Sequence, residues 1–387
     1  MRVAILMSVA SPWAREVAMK LASLGAEVHV IDFASSAPDG YMSHGDEFQA
    51  AEVIALRTAV AGVEFLRTPA AGPSRHFLAV PAVRRILAKL RPDHLLTLYG
   101  GGFANIAWLS GFRPYVVYVV GSDVLLMGGL RALLSRHALG SAALVLANGR
   151  YLAERARALR PGLRVEALYL GVDTDELKPS DPVTEPRILC TRGFLPVYNN
   201  EYLLQALALL GDDAPPNLQV TFAAPGPDLV GAQALADRIL SPALRARVAF
   251  RNGLDRKTLF AEYRRSQVYV SLSRSDGTSV ALMEALAAGI FPVLSDIPQN
   301  REWVSPREDN GILVPFERPE ILARALTRAL RDSGMRARAA SYNRQQVVDR
   351  ADSSRNMKAL LGILEATGRQ DTIAGRFSAY QPVSVDR

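Results

Sequence analysis

With 387 residues the chain has room for two or three domains, and 49% hydrophobic against 21% charged residues excludes a disordered polymer. A single cysteine, Cys190, excludes an internal disulfide framework and fits a reducing, cytoplasmic compartment. The net charge of +7 is uneven: residues 1–172 hold 18 Lys/Arg against 12 Asp/Glu, a net of +6, which leaves +1 for the other 215.

The predicted elements begin with an apolar strand over 2–10 and a helix over 13–24 that Gly25 stops, followed by a strand over 27–31. The opening run resembles a signal peptide, but the charged helical pattern that follows at once (Arg15, Glu16, Lys20) reads as a first buried strand and helix. The loop Ser8 to Pro12 faces the carboxyl end of its strand, where open parallel sheets bind ligands; its serines would equally serve as helix caps. Residues 34–48 are polar and hold His44 and Asp46. The five histidines show no ligand spacing, so no metal is expected. Residues 83–91 form a basic amphipathic helix pattern, in which Arg84, Arg85, Lys89 and Arg91 would rest on an anionic membrane surface or form a solvated face. No aromatic-interleaved basic patch points to nucleic acid.

A strand over 93–99 ends in Gly100, Gly101 and Gly102, which permit close approach of a ligand or a sharp turn. The uncharged stretch Leu95 to Phe112 approaches membrane-spanning length, yet these glycines, Asn105 and Ser110 divide it into two pieces of α/β core. A buried strand over 115–120 leads into Gly121-Ser122-Asp123, so that Asp123 is expected to point into a cleft. A strand over 143–147 and a helix from about 150 to 159 follow. Residues 175–186, with Pro179, Pro182 and Pro186, read as a linker. A second β-α alternation runs from Arg187 to Asp296, with helices over 201–210, 229–240 and 254–265. Residues 319–331 and 336–366 read as helices, the latter a single long one, and 375–387 as a tail with no evident fold.

The stretch from Gln267 to Asp296 reads as strand, polar loop, helix, turn and strand. Asp276 lies in the loop and Glu284, eight positions on, in the helix. Thr278 and Ser279 would cap that helix and leave amides for a diphosphate, while Glu284 would reach a ribose diol and Asp276 a sugar. A solvated acid in an ordinary strand–loop–helix unit is the plainer alternative.

This stretch, Asp276-Gly277-Thr278-Ser279 through Glu284-Ala285-Leu286-Ala287-Ala288-Gly289 and Pro292-Val293, resembles the signature of glycosyltransferase family 4 (group 1, retaining). Four more segments agree: 170–179 resembles the hinge motif, 191–207 the donor-side arginine segment, and 248–273 and 310–326 the flanks of the signature. Over 1–164 only the topology and 119–123 match. The resemblance implies an α/β GT-B fold, two Rossmann-like parallel-sheet domains facing a central cleft. Residues 1–172 would form the acceptor-side domain and 173–340 the donor domain. Residues 341–387 would supply a C-terminal helix crossing back to the first domain, and a tail.

It implies Arg192, Asp276 and Asp123 as catalytic residues, with Gly277, Thr278, Ser279, Glu284, Asn199, Asn252 and Gly253 binding the donor. Ser8, Gly100, Gly101, Gly102 and Ser122 would line the acceptor side. The implied reaction moves a sugar, with retention and without a cofactor or metal, from a nucleotide-diphosphate-sugar to an acceptor hydroxyl in cell-surface glycan or glycolipid synthesis. Three departures stand out. The lysine usual after the arginine is replaced by Val197-Tyr198-Asn199-Asn200, the histidine usual before the Gly-x-Asp turn is Val120, and the first loop lacks its glycine pair. They keep open a catalytically weak nucleotide-sugar-binding subunit, beside a same-fold epimerase or phosphorylase.

Overall fold

A computed structural model describes residues 1–32, 46–66, 74–126, 128–179, 184–211 and 214–368. The tail 375–387 and most of the polar segment 34–48, His44 included, lie outside the described residues.

The first domain alternates strand and helix. It runs β1 (Arg2–Met7), α1 (Pro12–Ser23), β2 (Glu27–Asp32), α2 (Asp46–Ala59), β3 (Gly62–Phe65), α3 (Ser74–Leu90) and β4 (His94–Leu98). It continues with α4 (Gly102–Ser110), β5 (Tyr115–Val119), α5 (Ser122–Leu125), α6 (Gly129–Gly140), β6 (Leu144–Ala147), α7 (Arg150–Leu159) and β7 (Val165–Ala167). All seven strands pair in parallel, in the order β3-β2-β1-β4-β5-β6-β7. The uninterrupted apolar runs of β1, β4, β5 and β6 follow from this, because a parallel strand covered by helices is buried on both faces. Along β1, Val3, Ile5 and Met7 enter one buried cluster while Ala4 and Leu6 enter the other, as the two-residue period demands.

The second domain repeats the scheme. Its elements are β8 (Arg187–Cys190), α8 (Asn200–Ala208), β9 (Gln219–Phe222), α9 (Leu229–Ile239), α10 (Pro242–Arg245), β10 (Val248–Phe250) and α11 (Arg256–Arg264). There follow β11 (Val268–Ser271), α12 (Val280–Ala287), β12 (Phe291–Ser295), α13 (Pro298–Arg301), β13 (Ile312–Val314) and α14 (Pro319–Arg331). The parallel order is β10-β9-β8-β11-β12-β13.

Each sheet therefore reverses its winding once, between β1 and β4 in the first and between β8 and β11 in the second. At such a point the loops leaving two neighbouring strands diverge to opposite faces and open a crevice at the carboxyl edge. The topology alone places the first-domain crevice at Ser8 and Gly100–Gly102, and the second-domain crevice at Arg192 and Asp276.

The expected single helix over 336–366 is two, α15 (Ser333–Arg350) and α16 (Ser353–Gly368). The break falls where the chain crosses between domains. Val172 donates its N–H to Ala351 O (2.9 Å) and accepts that of Ser353 (2.9 Å), so two helical carbonyl and amide positions are taken by the interdomain strand. Asp352 restarts the helix by accepting Arg355 N–H (2.8 Å), and also accepts the Thr174 hydroxyl (2.6 Å). Gly171, at φ +76°, passes so close that a Cβ would lie 2.6 Å from Ala351 O. Val347 of α15 is buried among second-domain side chains such as Leu282 and Leu286. Met357, Leu360, Ile363 and Leu364 of α16 are buried against β1 and α1 of the first domain.

Candidate functional site

Ser279 caps α12, its hydroxyl accepting Leu282 N–H at 3.3 Å. Because β8 and β11 are neighbours, the loop after β8 brings Arg192 to the same place. Arg192 Nη2 lies 2.7 Å from Asp276 Oδ2, and Nη1 donates to Ser279 Oγ at 3.0 Å. Its guanidinium is 4.1 Å from the ring centre of Tyr198, which stands in the segment where the resemblance led to expect a lysine. Burial pushes the Asp276 carboxyl up, and Arg192 pulls it back.

Glu284 is half-buried, one turn into α12. Burial pushes its carboxyl up to about 7, against the opposing pull of the Tyr263 hydroxyl and of Arg256. Tyr263 donates to Glu284 Oε2 at 2.9 Å. Asn199 takes the left-handed conformation (φ +54°) before α8, with a buried side-chain nitrogen lacking a hydrogen-bond partner; buried Thr278 Oγ1 is likewise unpaired. Buried polar atoms seldom remain so without a ligand or water, and both line the loops around Arg192. Gly253 (φ +85°) and exposed Asn252 occupy the loop after β10, two strands from the crevice. Among the described residues no group of three or more His, Cys, Asp or Glu side chains comes together to hold a metal.

Two expected roles change. Thr278 N–H is not free for a phosphate, because it donates across the domain boundary to Asn148 O (3.3 Å), while Asn148 Nδ2 donates to Thr278 O (2.9 Å). Asp123 does not aim into the cleft. It is 4% exposed, and its carboxylate accepts the N–H groups of Gly100 (2.6 Å), Gly121 (2.7 Å) and Val120 (3.1 Å), tying the loops after β4 and β5 together. A short acid two residues after a glycine turn satisfies the turn's own amides before it reaches anything else.

The two carboxyl edges meet. A Cβ on Gly277 would fall 1.8 Å from Val120 O, and one on Gly121 would fall 2.8 Å from Gly277 N, so both positions require glycine. Beside this contact Glu302 of the second domain accepts the N–H groups of Arg150 (3.0 Å) and Tyr151 (2.8 Å), in the first turn of α7, and the Tyr169 hydroxyl (2.7 Å). An anion there offsets the positive end of the helix.

On the first-domain side, Gly100 is buried and Gly101 and Gly102 open α4 without a side-chain cap. A Cβ on Gly102 would fall 2.0 Å from His76 Nε2, so the α3 imidazole lies directly over that backbone. Exposed Ser122 shares a hydrogen bond (3.0 Å) with the hydroxyl of Tyr99, whose φ of +138° marks a strained backbone at the end of β4. Ser8 closes the turn after β1, its carbonyl accepting Ser11 N–H at 3.0 Å. Arg85, Lys89 and Arg91 are exposed on and just beyond the last turns of α3, at the amino edge of the sheet and away from the cleft. Arg84 there donates to the carbonyls of Leu109 (2.6 Å) and Ser110 (3.1 Å) at the end of α4. No helix among the described residues is long and apolar enough to cross a membrane.

His76, Tyr99, Asn148, Glu302 and Tyr263 went unread in the sequence. Tyr263 lies within the matched segment 248–273 but reads there as a core position of α11, and each of the five matters through a partner far away in the chain.

Comparison with known proteins agrees with the two-domain fold. The family model for glycosyl transferases group 1 matches residues 173–346, and that for glycosyltransferase family 4 matches 11–176. A GDP-mannose:cellobiosyl-diphosphopolyprenol alpha-mannosyltransferase of Xanthomonas oryzae is 30% identical over 162 residues, 41% of this chain. The match spans only 42% of that relative's length. Among solved structures, sucrose-phosphate synthase from Thermosynechococcus elongatus superposes with a TM-score of 0.75 at 17% identity, covering 95% of this chain and 98% of the other. HepE of Anabaena, solved in complex with UDP, gives 0.76 at 17% identity, covering 95% and 100%. The fold is GT-B, and with one model matching each of its two domains the chain belongs to the group 1 glycosyltransferases of family 4.

Proposed function

We propose that the chain is an enzyme that transfers a sugar, with retention, from a nucleoside-diphosphate sugar to an acceptor hydroxyl in glycan or glycolipid synthesis. The observation that carries this reading is the convergence of Arg192, Asp276 and Ser279 at the N-terminus of α12. The departing diphosphate gains negative charge, and donors fixed in advance where that charge develops lower the barrier. Arg192 is such a donor. It is held by Asp276 and stacked on Tyr198, and the α12 terminus adds its dipole, so the reading needs no metal. Glu284 takes the ribose hydroxyls, and Asp276 contacts the transferred sugar. HepE in complex with UDP or UDP-glucose, and the relative that uses GDP-mannose, support a nucleotide-sugar donor. That relative's polyprenol-linked acceptor supports a lipid-linked substrate, for which the exposed Arg85, Lys89 and Arg91 offer an anionic-membrane contact at the cytoplasmic face.

Thr278 N–H becomes a phosphate ligand only after its bond to Asn148 opens, so donor entry and domain opening are one event. The test is transfer by purified Arg192→Ala and Glu284→Ala, with circular dichroism to confirm folding. Both should lose transfer while keeping the wild-type spectrum; unchanged turnover in either would refute the site.

A second reading, a nucleotide-sugar-binding subunit with little turnover of its own, draws on Tyr198, which supplies a π-face where a second cation is expected. Tight UDP or GDP binding without donor hydrolysis or transfer to any acceptor would favour it.

A further inference from the structure

Glu284 is enclosed by groups that neither the sequence motif nor the family comparison assigns. From α11, Tyr263 lies 2.9 Å from Oε2, and Arg256 faces the same carboxylate. From α1 comes Glu16, 3.6 Å from Arg256, and from within the hinge segment 170–179 comes Glu176, 2.8 Å from Arg256. Arg256 is thus shared among three acids and is not dedicated to Glu284. Among the described residues, the hydrogen bond to the Glu284 side chain comes from Tyr263, which is fully buried.

The Tyr263 hydroxyl has a single proton and two acceptors for it, Glu284 Oε2 and Ala281 O (3.1 Å). Its own oxygen meets the Thr191 hydroxyl (3.3 Å), which in turn meets that of Tyr269 (3.3 Å). An ionised Glu284 is the stronger acceptor and takes the proton, whereas a protonated Glu284 leaves it to Ala281 O. Thr191 can then donate to the Tyr263 oxygen, which leaves the Tyr263 proton committed to the carboxylate.

We propose that Tyr263 is a positioning residue that, through this hydrogen bond, holds the Glu284 carboxylate ionised and aimed at the ribose diol of the donor. The inference rests on the assignment of Glu284 to the ribose. The consequence is a donor affinity that follows the charge on Glu284. A protonated carboxyl has one fewer acceptor site for two ribose hydroxyls. With the Glu284 midpoint about 7, wild-type affinity for the ribose-bearing ligand should rise about tenfold from pH 6 to pH 8. Tyr263→Phe removes a donor to the ionised form, so the midpoint moves to higher pH, by about tenfold in proton affinity. Its donor affinity should be about fivefold weaker than wild type at pH 7, with the gap closing by pH 9.

Two measurements test this. Carboxyl 13C NMR of glutamate-labelled protein, with the Glu284 resonance assigned by its loss in Glu284→Gln, reads the midpoint without ligand. Calorimetry from pH 6 to 9 with UDP and GDP, each beside its 2′,3′-dideoxy counterpart, reads affinity. The dideoxy compounds carry the same diphosphate and subtract its own titration. Tyr269→Phe is the structural control, since it deletes an equally buried hydroxyl that does not touch Glu284. An upward midpoint and the pH-dependent affinity loss in Tyr263→Phe, both absent in Tyr269→Phe, support the proposal. An unchanged midpoint in Tyr263→Phe, or an equal change in Tyr269→Phe, overturns it. A shifted midpoint with no difference between ribose and dideoxy ligands overturns the ribose assignment instead, and the proposal with it.

Discussion

The two crevices are built at equivalent points of two sheets wound alike, yet from different material. The second-domain crevice is built of paired side chains: Arg192 is bonded to Asp276 and Ser279, and Tyr263 to Glu284, at 2.7 to 3.0 Å. The first-domain crevice is mostly backbone. Gly100 to Gly102 and Gly121 shape it, Asp123 ties its loops, and His76 and the Tyr99–Ser122 pair are the polar side chains described at its rim. A site that stabilises a leaving diphosphate needs fixed charges, and those demand partners that hold them. Under the proposed function, a crevice shaped by glycine would set which acceptor fits.

The contrast can be broken by substitution. The largest effect is expected on the charged side: Arg192→Ala should lower kcat about 10²–10³-fold, measured with saturating donor. Gly277→Ala sets a Cβ against Val120 O and should hold the domains apart, costing about 10²-fold in transfer. Small-angle scattering should show a larger radius of gyration, and unaltered scattering with full activity would mean the contact is dispensable. Gly102→Ala sets its Cβ against the His76 ring, 2.0 Å from Nε2, so that ring must shift. It should raise the acceptor KM several-fold, of the order that one methyl group's fit sets in a pocket, and leave the donor KM alone. If it alters the donor KM instead, the two crevices do not divide the substrates. The smallest effect is expected at the boundary: Glu302→Gln keeps the shape but loses the charge on the α7 terminus, costing about 1 kcal/mol in denaturant unfolding.

Linkage adds a sign to the charged side. Glu284 has a folded midpoint raised to about 7, from an unfolded value near 4.5. Its contribution to stability is full below the unfolded value and is lost as pH rises to about 7. Glu284→Gln should therefore flatten the wild-type decline in unfolding free energy between pH 4.5 and 7.

Strands such as β1 and β5, and helices α7 and α14, are plain in the sequence because each buries a regular apolar pattern. The edge strands β3 and β7 are not, since Gly-Val-Glu-Phe and Val-Glu-Ala carry too little apolar pattern to mark a strand. The break between α15 and α16 is equally silent, because Ala351-Asp352 interrupts nothing in the helical pattern and only the distant Val172 makes it necessary. The same holds at the site. Ser279 is legible as a cap, whereas Asp123 misleads because its true partners are the amides of Gly100, Val120 and Gly121, which only the fold brings near.

That break has a mechanical meaning. The peptide crosses between domains twice, at Val172 and again at Ala351–Asp352, and the two crossings are bonded side by side. One crossing would act as a swivel, free to twist as well as bend. Two joined crossings would confine any opening to a single axis, as in a door hinge, so that closure would return Gly121 to Gly277 in the same register.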